Sequence, residues 1–91
     1  MLMFRMWCKL WKNNHLLADT TIEDASDLNR TRKIFAALES ACHQFDLPVP
    51  IWLNSNIDEF KKTSKTRFRD DSFIEKIPFD YLEIQVIEED I

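Results

Sequence analysis

Between Tyr81 and Glu89, aliphatic and polar residues alternate: Leu82, Ile84 and Val86 fall on one side of an extended chain, and Tyr81, Glu83, Gln85 and Glu89 on the other. This is the period of a half-buried strand, broken only by Ile87. A strand with one apolar face needs neighbouring strands and a covering layer, so the segment predicts a sheet with at least one helix laid across it. The same alternation runs from Met3 to Lys12, with Phe4, Met6, Cys8 and Leu10 inward and Arg5, Trp7, Lys9 and Trp11 outward. Asn13-Asn14 follows, and asparagine tolerates the positive φ that a tight primed turn requires where glycine is missing. A return strand over His15 to Glu23 then places Leu16, Ala18, Thr20 and Ile22 on the core side.

The period changes after Asp24. Ile34, Phe35, Leu38, Ala41, Cys42 and Phe45 recur at steps of three and four within an uninterrupted segment from Asp27 to about Phe45, with Ser26 placed to cap it and Asp27 in its first turn. Arg30, Arg32, Lys33, Glu39, Ser40 and His43 form the solvated face of this helix. Pro48 and Pro50 end it. Ile51-Trp52-Leu53 reads as a short peripheral strand. Asn54-Ser55-Asn56 offers capping groups, with Glu59 at box-like spacing from Asn56, and Ile57, Phe60 and Ser64 mark the inner side of a second helix reaching about Thr66. The irregular spacing of Phe68, Phe73, Ile74 and Ile77 predicts a loop over 67–79 that drops aromatic anchors into the core. The predicted architecture is one α+β domain over residues 1–91: a small antiparallel sheet made of the β-hairpin and the C-terminal strand, with two helices packed on one face. The last strand is expected beside the first.

Composition narrows the classes. Ninety-one residues with 45% hydrophobic content suit one small core, and the charged fraction of 31% is not that of a disordered chain. The absence of glycine removes phosphate-cradling loops of the usual nucleotide-binding kinds. Arg5 and Lys9 interrupt the apolar opening, so it does not read as a signal peptide, and no run approaches the ~20 apolar residues of a membrane span. Cys8 and Cys42 both fall on faces read as buried, which predicts reduced thiols and a soluble, cytoplasmic protein. The net charge of −4 suits solubility.

Candidate chemistry lies in two places. The sheet face away from the helices carries Trp7, Lys9, Trp11, Leu17, Tyr81 and Ile87, a set of large apolar groups among charges that suits a subunit or partner interface. Its bland counterpart is that Trp52, the peripheral strand or the anchor loop folds over it. The second place is Lys61, Lys62, Lys65, Arg67 and Arg69, which could neutralise phosphates while Phe60 or Phe68 stacks on bases. Asp58, Glu59, Asp70 and Asp71 dilute that field, and a solvated charged surface accounts for it more simply. Cys8, Cys42, His15 and His43 show no metal-ligand spacing, and no motif points to a catalytic group or a cofactor. The carboxylates Glu83, Glu88, Glu89 and Asp90 lack a cation-loop spacing, and Glu83 is placed to pair across strands with Arg5 or Lys9.

With Ser64-Lys65-Thr66-Arg67-Phe68 and the closing segment from Phe79 to Asp90, the chain resembles a group of short uncharacterised bacterial proteins. That resemblance implies a bacterial cytoplasmic setting and no site residues. The functional expectation is a non-catalytic protein-interaction or self-association module working through the tryptophan face. A nucleic-acid-binding accessory protein using the Lys61 to Arg69 cluster is the alternative.

Overall fold

The computed structural model describes residues 3–89. Strands β1 (Phe4–Lys12) and β2 (His15–Asp24) form the hairpin, and helices α1 (Arg30–Phe45) and α2 (Asn54–Thr63) follow. Strands β3 (Lys65–Phe68) and β4 (Tyr81–Glu89) complete one antiparallel sheet in the order β2-β1-β4-β3. The α+β class and the pairing of the last strand with the first are as the patterning predicts. Helix α1 lies across β1 and β2, and α2 lies against β3. Between helices and sheet sits a core that includes Phe4, Met6, Cys8, Leu38, Leu82 and Ile84, all nearly inaccessible. Asn13 and Asn14 have φ of 51° and 64°, the paired left-handed conformations of a primed hairpin turn. Asn13 N–H also donates to Asp80 Oδ2 at 2.8 Å, tying the turn to the start of β4.

Two bulges set which residues face the helices. In β2, Leu10 lies opposite Ala18 but Trp11 lies opposite Leu16, leaving Leu17 as the extra residue. The side-chain parity therefore inverts at Leu17. Leu16, expected in the core, shares the face of Trp11 and is 44% exposed. In β4, Met6 opposes Val86 and Arg5 opposes Glu88, so Ile87 is the extra residue, which explains why it breaks the alternation. Past this bulge Glu89 pairs with Phe4 on the helix side, and its Oε1 lies 2.7 Å from Arg30 Nε.

Helix α1 begins later than expected. Asn29, not Ser26, is the N-cap: its Oδ1 accepts from Arg32 N–H at 2.9 Å. Ser26 is drawn into a turn instead, its N–H donating to Asp24 Oδ1 and its Oγ accepting from Leu28 N–H, so Asp27 precedes the helix. Lys33 is buried rather than solvated; its stem can lie along apolar surface, and its charge helps hold Asp24 below the ordinary carboxyl value, a shift owed first to the hydrogen bonds from Ser26. Asp46, in the left-handed region with φ 58°, ends α1 ahead of the prolines, with Leu47 N–H donating back to Cys42 O at 2.9 Å.

The segment from Ile51 to Leu53 is not a strand; Ile51 N–H donates to Ser72 O at 2.7 Å, and Leu53 O accepts from Ile57 N–H at 3.1 Å as α2 begins. The fourth strand is Lys65–Phe68, expected as a helix end and a loop. Ser64, with φ 56°, stops α2 and turns the chain directly into β3. Thr66 and Phe68 point inward there, and Asn56, read as a cap, proves to be a buried tie. Its Nδ2 donates to Thr66 Oγ1 at 3.0 Å and Arg67 O at 2.9 Å, while its Oδ1 accepts from Leu53 N–H at 3.1 Å. Between β3 and β4, a 3-10 turn (Asp70–Ser72) leads to Phe73 and Phe79, which meet edge to face with centroids 5.8 Å apart. Ile74, expected as an anchor, is 87% exposed.

Candidate functional site: the outer face of the sheet

Alternation on the central strands β1 and β4 points Arg5, Trp7, Lys9 and Trp11, and Tyr81, Glu83 and Gln85, away from the helices. The register sets Lys9 opposite Glu83 and Arg67 of β3 opposite Glu83 on its other side. Lys9 Nζ lies 2.9 Å from Glu83 Oε1, and Arg67 Nε donates to Glu83 Oε2 at 2.9 Å. Lys9 is 7% exposed and Glu83 4%, although no helix covers this face. Burial alone would raise the Glu83 carboxyl, but hydrogen bonds from Arg67 and Lys9, and their charges, hold it below the ordinary value. The bond to Glu83 in turn raises the Arg67 guanidinium.

Aromatic rings flank this ion pair. Lys9 Nζ sits 3.8 Å from the centroid of a Trp7 ring, and Trp7 Nε1 donates to Asp19 Oδ2 at 2.8 Å. Tyr81 lies beneath two guanidinium groups, Arg67 at 4.8 Å and Arg69 at 5.3 Å from its ring centroid. Trp7, Trp11 and Tyr81 are half-buried, and Trp11 Nε1 is enclosed without a hydrogen-bond partner among the described residues. Leu17 and Ile87, both bulge residues, are exposed at opposite ends of the sheet. Trp52 does not reach this face. It packs on the helix side against Phe35, Phe60 and Phe68, with centroids 6.0, 5.5 and 5.0 Å away.

The basic cluster is divided by the fold. Lys61 and Lys62 occupy the last turn of α2, Lys65 and Arg67 stand on the outer side of β3, and Arg69 follows that strand. Lys61 lines a groove of about 210 Å³ between α1 and α2, with Arg30, Phe35 and Ile57. Across the sheet, Asp19 and Glu23 of β2 make the opposite edge acidic, and Arg5 Nε lies 3.3 Å from Glu23 and 3.4 Å from Glu88. The outer face is therefore polarised, acidic at β2 and basic at β3, with a neutralised ion pair and aromatic rings between. Sequence reading identified the aromatic residues and offered Arg5 or Lys9 as the partner of Glu83, of which the register selects Lys9; it missed Arg67 as the second partner, because that contact depends on β3.

The remaining sulfur and imidazole groups stand apart from this face. Burial pushes the Cys8 thiol up to about 12 and the Cys42 thiol up to about 11, so both are protonated near neutrality, and the two cysteines are free. His15, beside the hairpin turn, and His43, in α1, are exposed. Among the described residues no helix is long and apolar enough to cross a membrane. Compared with known protein families, curated proteins and solved structures, the chain has no match in any of the three.

Proposed function

We propose that this chain is a non-catalytic module that pairs with a second copy of itself, sheet face to sheet face. The observation that carries the reading is the polarised outer surface. A two-fold axis lying between two such sheets and parallel to their strands sets β2 of one copy over β3 of the other, so that Asp19 and Glu23 meet Lys65, Arg67 and Arg69. The central charges need no new partner, because Lys9 and Glu83 already neutralise one another within each copy. Trp7, Trp11 and Tyr81 supply the anchors, and Leu16 and Leu17 extend the apolar contact at the hairpin end. From the strand spacing and the rise per residue, such a face covers about 600 Å² per partner. That is near the lower end of stable interfaces and suits micromolar affinity. Sedimentation equilibrium at about 50 μM is expected to give a dimer, and Trp11→Glu a folded monomer. A wild-type monomer at that concentration, with Trp7→Ala and Trp11→Ala altering only folding, refutes the pairing.

A second reading, binding of single-stranded nucleic acid, is favoured by one feature: Lys65, Arg67 and Arg69 run along the β3 edge beside Tyr81, a cationic track next to an aromatic ring. A mobility shift that weakens with salt and disappears in Lys65→Glu and Arg69→Glu would establish it; a shift unchanged by both substitutions would remove it.

A further inference from the structure

The cleft between the start of α2, strand β3 and the 3-10 turn adjoins the outer face at its β3 edge, where Lys65, Arg67 and Arg69 belong to both, and has a volume of about 430 Å³. Asn56 Oδ1 accepts from the N–H of Leu53, the N-cap of α2, but the leucine side chain offers no acceptor to the amides that follow it. The first-turn amides of Asn54, Ser55 and Asn56 have no partners within the helix, and the helix dipole adds partial positive charge there. Lys65, Arg67 and Arg69 line the same cleft, with Arg67 held in place by Glu83. Ser72 lines it as well; this residue is 1% exposed, and its Oγ has no hydrogen-bond partner among the described residues. A buried hydroxyl without a partner is costly, and it is independent of the helix start and the cations.

Glu59 and Asp71 also border the cleft, setting two carboxylates against three cations. A bare inorganic anion would meet repulsion from them. A ligand with a phosphate at one end and hydroxyl groups at the other satisfies both sets: amides and guanidinium groups donate to the phosphate, and the carboxylates accept from the hydroxyls. We infer that this cleft binds a small sugar phosphate, with the phosphate at the start of α2 beside Arg69 and the sugar hydroxyls toward Glu59.

The inference is tested by amide-resolved NMR titration of the full chain with ribose 5-phosphate and, separately, with inorganic phosphate at constant ionic strength. Ribose 5-phosphate is expected to shift the amides of Asn54, Ser55, Asn56 and Ser72 together, and to bind at least several-fold more tightly than inorganic phosphate. Arg69 is exposed, so Arg69→Ala is expected to keep the fold and weaken both ligands by roughly tenfold. Glu59→Gln is expected to weaken ribose 5-phosphate while leaving inorganic phosphate as tight or tighter. Absence of shifts at the α2 start with either ligand overturns the site. Equal affinity for the two ligands, with Glu59→Gln tightening both, overturns the sugar phosphate.

Discussion

Glu83→Gln is expected to destabilise the protein by about 3 kcal/mol, because it leaves Lys9 buried with its charge uncompensated. For a domain of this size that corresponds to a fall of roughly 15 °C in melting temperature. Lys9→Met is expected to cost less, since Arg67 continues to neutralise Glu83 and methionine fills most of the space of the lysine stem. The asymmetry between the two variants is the signature of a carboxylate shared by two cations. The effect depends on pH with a definite sign. Burial opposes ionisation of Glu83, but the hydrogen bonds and charges of Arg67 and Lys9 outweigh it, so the folded-state value lies below the ordinary 4.5. A carboxyl depressed on folding contributes fully above its unfolded value, and the contribution is lost as pH falls through the folded one. Denaturant melts of wild type and Glu83→Gln should therefore differ most near neutrality and converge in acid, below the ordinary carboxyl range. A gap under about 1 kcal/mol at pH 7 would show that the pair is no more than a surface contact.

That hub was half legible in the sequence, and the missing half has a physical cause. Lys9 and Glu83 sit on strands with clear alternation, so both could be placed on the outer face with Glu83 across from Arg5 or Lys9, and the register selects Lys9. Arg67 sits on β3, where Thr66, a polar residue, takes an inward position and masks the period over only four residues. Thr66 is tolerated there because Asn56 hydrogen-bonds its hydroxyl, a contact between residues ten apart that no local pattern announces. Asn56 itself looks like a cap, since its side chain can satisfy an amide at a helix start, and it does accept from Leu53 N–H. The β2 bulge, by contrast, was implicit. A two-residue turn at Asn13 and Asn14 sets Lys12 opposite His15 and Trp11 opposite Leu16, and uninterrupted pairing would then lay Asp19 and Thr21 against Cys8 and Met6. The burial of Ala18, Thr20 and Ile22 is compatible with that turn only if one residue is extra, and Leu17 is that residue. The N-cap of α1 was ambiguous for a simpler reason. Ser26 and Asn29 are both good caps three residues apart, and the turn made by Asp24 and Ser26 decides between them.

The two faces of the sheet make opposite predictions for tryptophan. Trp52 meets Phe35, Phe60 and Phe68 edge-on and joins α1, α2 and β3, so its removal opens space that three elements would have to close together. Trp52→Ala is expected to cost about 3 kcal/mol, at the low end for buried aromatic residues because the ring is only partly enclosed. Trp7→Ala loses a hydrogen bond to Asp19 and a cation–π contact with Lys9 on an open face, worth about 1 kcal/mol in the isolated chain. Urea melts at low protein concentration, where pairing is negligible, should therefore separate the variants by about 2 kcal/mol, with Trp52→Ala the weaker. At high concentration the gap should narrow, because only Trp7→Ala forfeits the added stability that association gives the folded state. Two variants equally destabilised in dilute solution would mean that the outer tryptophan is as firmly enclosed as the inner one. No second copy would then be needed to explain its place on the sheet.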